Sequence, residues 1–199
     1  MKVVAVVQAR MGSSRFPGKV MKLINGKPVL ELLLRRLGLS VEIDQIVVAT
    51  SVDNSNMVLK AHVIRLGIEC YAGSEEDVLG RVYEAAKKAD ADIVVRVTGD
   101  CPFVDPDLVD LLVKDFKNST VDYSSNINPA TYPDGMDVEI FSFSVLEQLV
   151  NESTTVFDKE HVTPFIRNSG LFKTKNIVFK KDLSGLRWTL DEPNDFVVI

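Results

Sequence analysis

A chain of 199 residues with 46% apolar content is the size of one domain and can bury a core large enough to fold without disulfide or metal staples. Its 23 basic residues are outnumbered by 28 acidic ones, giving a formal net charge of −5. That balance excludes the broad basic surface needed to grip nucleic-acid backbones, so the expected partner is a small molecule and not a nucleic acid.

The segment VVAVV (3–7) is apolar at every position, as a parallel strand covered on both faces requires. PVLELLLRRL (28–37) has helical period, QIVVAT (45–50) reads as a second strand, and a helix over 54–66 is stopped by Gly67. His62 shares a stripe of that helix with Leu59 and Leu66 and is read as structural. A third strand, IECYAG (68–73), precedes a helix that Ser74 caps, with Asp77 in the capping-box position. DIVVRV (92–97) is the fourth strand. Strand and helix in alternation predict an α/β fold: an open, doubly wound, mostly parallel sheet of Rossmann-like type.

The second half is less regular. It predicts a helix over 106–117 capped by Asp105, a turn-rich PATYPDG, a strand over 138–141, helices in SVLEQLV and KEHVTPFIRN, and a strand over 176–180. No repeat, low-complexity tract or linker divides the chain, so residues 1–199 read as a single domain. The ending LDEPNDFVVI looks like the beginning of a helix and reads as an incomplete C-terminus. No apolar run approaches the ~18 residues of a membrane span and no secretory leader opens the sequence, so a cytoplasmic protein with no membrane partner is expected. Cys70 and Cys101 lie outside any metal-type cluster and read as reduced, mostly buried thiols.

In sheets of this kind the ligand crevice lies beyond the carboxyl ends of the strands. Three stretches fall there: 8–19, 73–77 and 98–105. The first, QARMGSSRFPGK, concentrates Arg10, Arg15 and Lys19 around Gly12 and Ser13 without one acid. Cations and backbone donors on a Gly/Ser-rich turn suit a polyphosphate, whereas a merely solvated loop would pair its arginines with acids elsewhere. The spacing fits neither GxGxxG nor GxxxxGK[ST], since Val20 follows Lys19. Asp100 stands directly after the fourth strand as a hard oxygen ligand for Mg2+, or as a turn acid ahead of Pro102. Gln8, Ser74 and Thr98 sit at strand ends that can read a pyrimidine edge, and Arg96, inside an apolar strand, must find a partner or a ligand. Asp137 and Glu139 project to one side of a strand, opposite Val138 and Ile140. No histidine lies near Cys101 in sequence to make it a nucleophile.

The loop QARMGSSRFPGK resembles the signature loop of the sugar cytidylyltransferases, the CMP-sialic acid and CMP-KDO synthetases, and most nearly the SpsF-type spore coat polysaccharide proteins. The likeness continues through GSEEDVLGRVYEAA, VVRVTGDCPFVDP, TYPDGMDVEIFS, KEHVTPFIR and RWTLDEPNDF, nearly the whole chain. It implies a nucleotide-diphospho-sugar transferase fold, CTP and a sugar as substrates, Mg2+ as cofactor, pyrophosphate release and a homodimer. By the same resemblance Arg10, Arg15, Lys19 and Asp100 carry catalysis, and Asp191 joins Asp100 on the metal. Asp77 and Arg81 reach the nucleoside, and Asp134, Asp137 and Glu139 line the sugar pocket. Glu160 and His161 face the acceptor or a subunit interface, while Arg187 pairs with Asp191 or holds a sugar carboxylate. Two alternatives stay open: a relative using another NTP with a sugar 1-phosphate, and a noncatalytic nucleotide-binding module.

Overall fold

A computed structural model describes residues 1–152 and 155–199. The first half alternates as expected. β1 (Val3–Gln8) leads through the cationic loop and a small hairpin, β2 (Leu23–Ile24) with β3 (Lys27–Pro28), into α1 (Val29–Leu37). There follow β4 (Gln45–Ser51), α2 (Met57–Arg65), β5 (Glu69–Gly73), α3 (Val78–Lys88), β6 (Ile93–Thr98) and α4 (Pro106–Lys117). The second half adds β7 (Tyr123–Ser125), β8 (Glu139–Ser142), α5 (Phe143–Glu152), α6 (Val156–His161), α7 (Pro164–Asn168), β9 (Thr174–Asn176) and α8 (Asp195–Val198).

Seven strands form one sheet in the order β5-β4-β1-β6-β8-β7-β9. β5, β4, β1 and β6 run parallel, and β8 is antiparallel to both β6 and β7. The doubly wound α/β arrangement is therefore present, with one reversed strand beyond β6. Every residue of VVAVV is fully buried because alternate side chains enter two different cores. Val3, Ala5 and Val7 pack with leucines of α1, Leu59 of α2 and Leu108 and Leu112 of α4. Val4 and Val6 face α3 and α5 through Val82, Ala86, Leu146 and Leu149. Each buried valine adds about 1.5–2 kcal/mol of transfer free energy, which fixes the centre of the sheet.

Four local expectations are corrected. The helix over 54–66 opens instead with a 3-10 turn, Asn54–Asn56, because Asp53 caps it by accepting from the Ser55 backbone N–H at 2.8 Å. The cap of α3 is Asp77, which accepts from Gly80 N at 2.8 Å, while Ser74 only braces Asp77 through its backbone N–H at 3.2 Å. KEHVTPFIRN is two helices, since Val162 takes a positive φ of 72° and Pro164 starts α7 afresh. The strand expected over 176–180 lies earlier, as β9, paired in parallel with β7, a strand too short to show a period in the sequence.

Candidate active site

The carboxyl ends of β1 and β6 open onto a cavity of about 430 Å³. Gln8, Arg10, Ser13, Arg15 and Lys19 enter it from the β1 loop, and Thr98 and Asp100 from the end of β6. Asp134, Asp137, Glu160, His161 and Asp191 close it from the second half, and Arg81 reaches it from α3. The cationic loop and Asp100 thus share one hollow, as the strand-end rule predicts.

At its centre Lys19 Nζ lies 2.6 Å from Asp100 Oδ2 and 2.8 Å from Asp191 Oδ1. Arg15 pairs with the same Asp191 oxygen at 3.3 Å, and Arg10 pairs with Glu75 at 3.2 Å. Burial pushes the Lys19 ammonium pKa down, but the two carboxylates outweigh it and hold the value above that of a free lysine. Burial likewise pushes Asp191 up, and Lys19, Arg15 and Arg187 more than reverse it, so Asp191 is held below the usual carboxylate range. The chain itself brings the aspartates together: Leu190 N donates to the Asp100 carbonyl at 2.8 Å, laying the 186–191 segment across the end of β6. Trp188 N donates to Asp134 O at 2.7 Å, and Asp134 N to Leu186 O at 3.0 Å. Gly135 permits this approach. With φ at 104°, a Cβ there would stand 2.5 Å from Thr189 N and 2.6 Å from Trp188 C.

A side chamber of about 230 Å³ shares Thr98, Asp137 and His161 with the main cavity. Behind it lies the partner that buried Arg96 required: its guanidinium pairs with Glu139, and its Nε donates to Gln8 Oε1 at 3.0 Å. Glu139 also accepts from Tyr123 at 2.6 Å and Thr163 at 2.5 Å, with Arg167 at 3.4 Å. Burial pushes its carboxyl up, but Arg96 and the other donors outweigh that and keep it ionised. Its oxygens are thus committed to protein donors, and Glu139 meets a ligand chiefly through the arginines it orients. Among the described residues Asp137 has no such partners. Burial, then repulsion from Asp134, Glu139 and Asp100, pushes its carboxyl up to about 6.

Several expected site residues are spent elsewhere. Ser74 and Asp77 give their side chains to the start of α3, and neither lines the cavity. Arg187 is tied to Asp195 and Asp134, each at 2.8 Å, and to Asp191 at 3.5 Å, so it braces the 186–195 segment instead of lining the hollow. Gly12 sits beside the cavity without lining it. Arg81, almost wholly buried, clamps the 73–77 loop by donating from Nη1 to Ser74 O at 2.5 Å. Burial, then the charge of Arg10, pushes its pKa down. The Cys101 thiol is raised well above its ordinary value, first by burial and then by Asp100, which leaves it inert as a nucleophile. His62, on Glu31 at 2.9 Å, is structural as expected. The sequence reading overlooked the carboxyl end of β4, where Ser51 holds Asn56 and Asn56 meets the β1 loop; the strand-end rule applies there too.

A doubly wound sheet with a cation-and-carboxylate cavity at its carboxyl edge has the architecture that suits a nucleotide-using transferase. Residues 4–196 match the family described as cytidylyltransferase, and the chain belongs to that family. It is 34% identical over 172 residues to the spore coat polysaccharide biosynthesis protein SpsF of Bacillus subtilis, covering 83% of this chain and 70% of that one. A cytidylyltransferase structure from Leptospira borgpetersenii is 34% identical with a TM-score of 0.95, across 98% of this chain and 84% of that chain. A CMP:2-keto-3-deoxy-manno-octonic acid synthetase solved with CTP has a TM-score of 0.77 at 20% identity, over 100% and 96% of the two chains, and shares the fold. Among the described residues no helix is long and apolar enough to cross a membrane.

Proposed function

We propose that this chain transfers CMP from CTP to a sugar, with Mg2+ as cofactor and pyrophosphate as the second product, for assembly of a surface or spore coat polysaccharide. The observation that carries the reading is the convergence of Asp100 and Asp191 on one cationic nitrogen, inside the cavity that Arg10 and Arg15 also line. The pathway is supported by the likeness to SpsF, a spore coat polysaccharide biosynthesis protein, and CTP with an acidic sugar by the synthetase that shares the fold.

The residues present fit a magnesium ion. Two carboxylate oxygens already hold a positive charge between them at 2.6 and 2.8 Å, and both are hard donors. No group of three or more His, Cys, Asp or Glu suited to a metal occurs among the described residues, so triphosphate and water oxygens would have to complete the shell. When bound, the ion neutralises charge on the phosphate oxygens. The chain's own residues do the rest. The acceptor hydroxyl attacks the α-phosphorus in line, forming a new P–O bond as the bond to pyrophosphate breaks and giving up its proton to water, and no protein nucleophile is needed. Arg10 and Arg15 clamp the triphosphate and, with Lys19, stabilise charge as it builds on the transferring and leaving oxygens. The side chamber beyond Thr98 and Asp137 is where the acceptor sugar would lie.

The test is pyrophosphate release by the full-length protein given CTP, Mg2+ and a panel of ulosonic and other sugars. Asp100→Asn is expected to lower turnover by about a hundredfold or more while leaving the fold intact. Undiminished turnover in that variant would remove the metal assignment, and CTP binding without release across the panel would make the chain a binding module.

A further inference from the structure

The side chain of Arg10 lines the cavity, and its guanidinium is held there by a carboxylate, Glu75. The holding groups come from two other strand ends. Asn56, almost fully buried after β4, accepts the Met11 backbone N–H on Oδ1 at 2.8 Å. A backbone N–H can only donate, so this bond fixes which end of the amide is oxygen and turns Nδ2 toward Ser51, whose Oγ it meets at 2.7 Å. With Asn56 as its donor, the buried Ser51 hydroxyl sends its single proton to Glu75 Oε2 at 3.3 Å. Glu75 Oε1 then holds Arg10 Nη1 at 3.2 Å. A Cβ added at residue 12 would lie only 3.0 Å from the same Glu75 oxygen, so the carboxylate is packed directly against the loop it steadies.

We infer that Asn56, Ser51 and Glu75 form a directional hydrogen-bonded bracket that sets the guanidinium of Arg10 for the triphosphate. None of the three lines the cavity, and each acts through Arg10 as a positioning residue. The polarity of the chain is its distinctive feature. The protons converge on the carboxylate, from the Met11 amide through Asn56 and Ser51 on one side and from Arg10 Nη1 on the other, so Glu75 anchors Nη1 while the rest of the guanidinium can turn to phosphate oxygens. Replacing Asn56 by Asp would put two acceptors in competition for one serine proton and break the chain without changing its size.

The inference rests on the CTP reading above, and the experiment separates the two. Ser51→Ala is expected to raise KM for CTP about fivefold with the acceptor's KM unmoved, and Ser51→Thr, which keeps the hydroxyl, is expected to restore it. In an Arg10→Ala background Ser51→Ala should cost nothing further, because the bracket then has nothing to aim. Amide exchange over residues 9–15 in the ligand-free protein is expected to rise in Ser51→Ala and in Asn56→Asp. Unchanged exchange, or an equal loss for Ser51→Ala with and without Arg10, would overturn the bracket. A wild-type chain that takes no CTP at all would defeat the functional reading and leave the exchange measurement to decide the bracket.

Discussion

Lys19 cancels two carboxylates that sit within 3 Å of a common point, the role that the proposed metal would share. Removing it as Lys19→Met leaves Asp100 and Asp191 facing each other in a partly dry cavity, at a cost of about 2 kcal/mol, or about 6 °C in Tm. Because the lost charge is replaceable, Mg2+ is expected to restore much of that loss while raising the wild-type Tm only slightly. Calorimetric scans of both proteins with chelator and with Mg2+ decide this, and an equal metal effect on the two would contradict it. Asp137 supplies the opposite case. Its folded value of about 6 lies above the usual carboxylate value, so the native state holds a proton more tightly than the unfolded chain across roughly pH 4 to 6. The carboxyl therefore costs stability progressively as pH rises through that window, and the whole cost is felt above it. Asp137→Asn is expected to stabilise the metal-free protein by about 1–2 kcal/mol at pH 8 and by nothing near pH 4, read from denaturant midpoints at each pH.

Individual strands and loops carry these residues, and their legibility followed from how they are buried. VVAVV, QIVVAT and IVVRV announce themselves because helices cover both faces, and the β1 loop and Asp100 follow from the strand-end rule. Beyond β6 the sheet reverses: β8 pairs antiparallel with β6, and β7 has three residues, too few for any period to register. The break at Val162 was hidden because a positive φ at a β-branched residue is fixed by surroundings and not by its own preference. Asp191 was reachable only through the resemblance, since its position depends on a backbone bond from Leu190 to Asp100 that no local pattern foretells. Asn56 and Ser51 were missed for a similar reason, as their roles lie in contacts to loops 24 and 45 positions away. The tightest such joint is between Gly135 and the 188–189 backbone. Gly135→Ala meets backbone on the far side, which cannot step aside, and adds strain at a φ unfavourable to alanine. It is expected to cost about 2–3 kcal/mol in urea unfolding, and to weaken the proposed Mg2+-dependent turnover by moving Asp191.

Across the whole molecule, stability and function are distributed unevenly. The centre of the sheet is sealed between two apolar cores, whereas the stretch 178–188 that crosses its carboxyl edge is exposed at nearly every position, Val178, Phe179, Leu186 and Trp188 included. That stretch is held by a few backbone bonds, among them Leu183 N to Thr131 O at 2.9 Å and Trp188 N to Asp134 O at 2.7 Å, and by the pairs Arg187 makes. A segment with so little apolar burial opens locally at a far lower free energy than the sheet, yet it delivers Asp191 to the site. Nucleotide and metal bound between Asp100 and Asp191 would tie this weakly held segment to the rigid end of β6. Trypsin acting on the ligand-free protein is accordingly expected to cut first after Lys180, Lys181 or Arg187, leaving β1 to β6 intact. Saturating CTP with Mg2+ should slow those cuts about tenfold or more by drawing population away from the open form. Cleavage at the same rate with and without the ligands would mean that the segment carrying Asp191 takes no part in holding them.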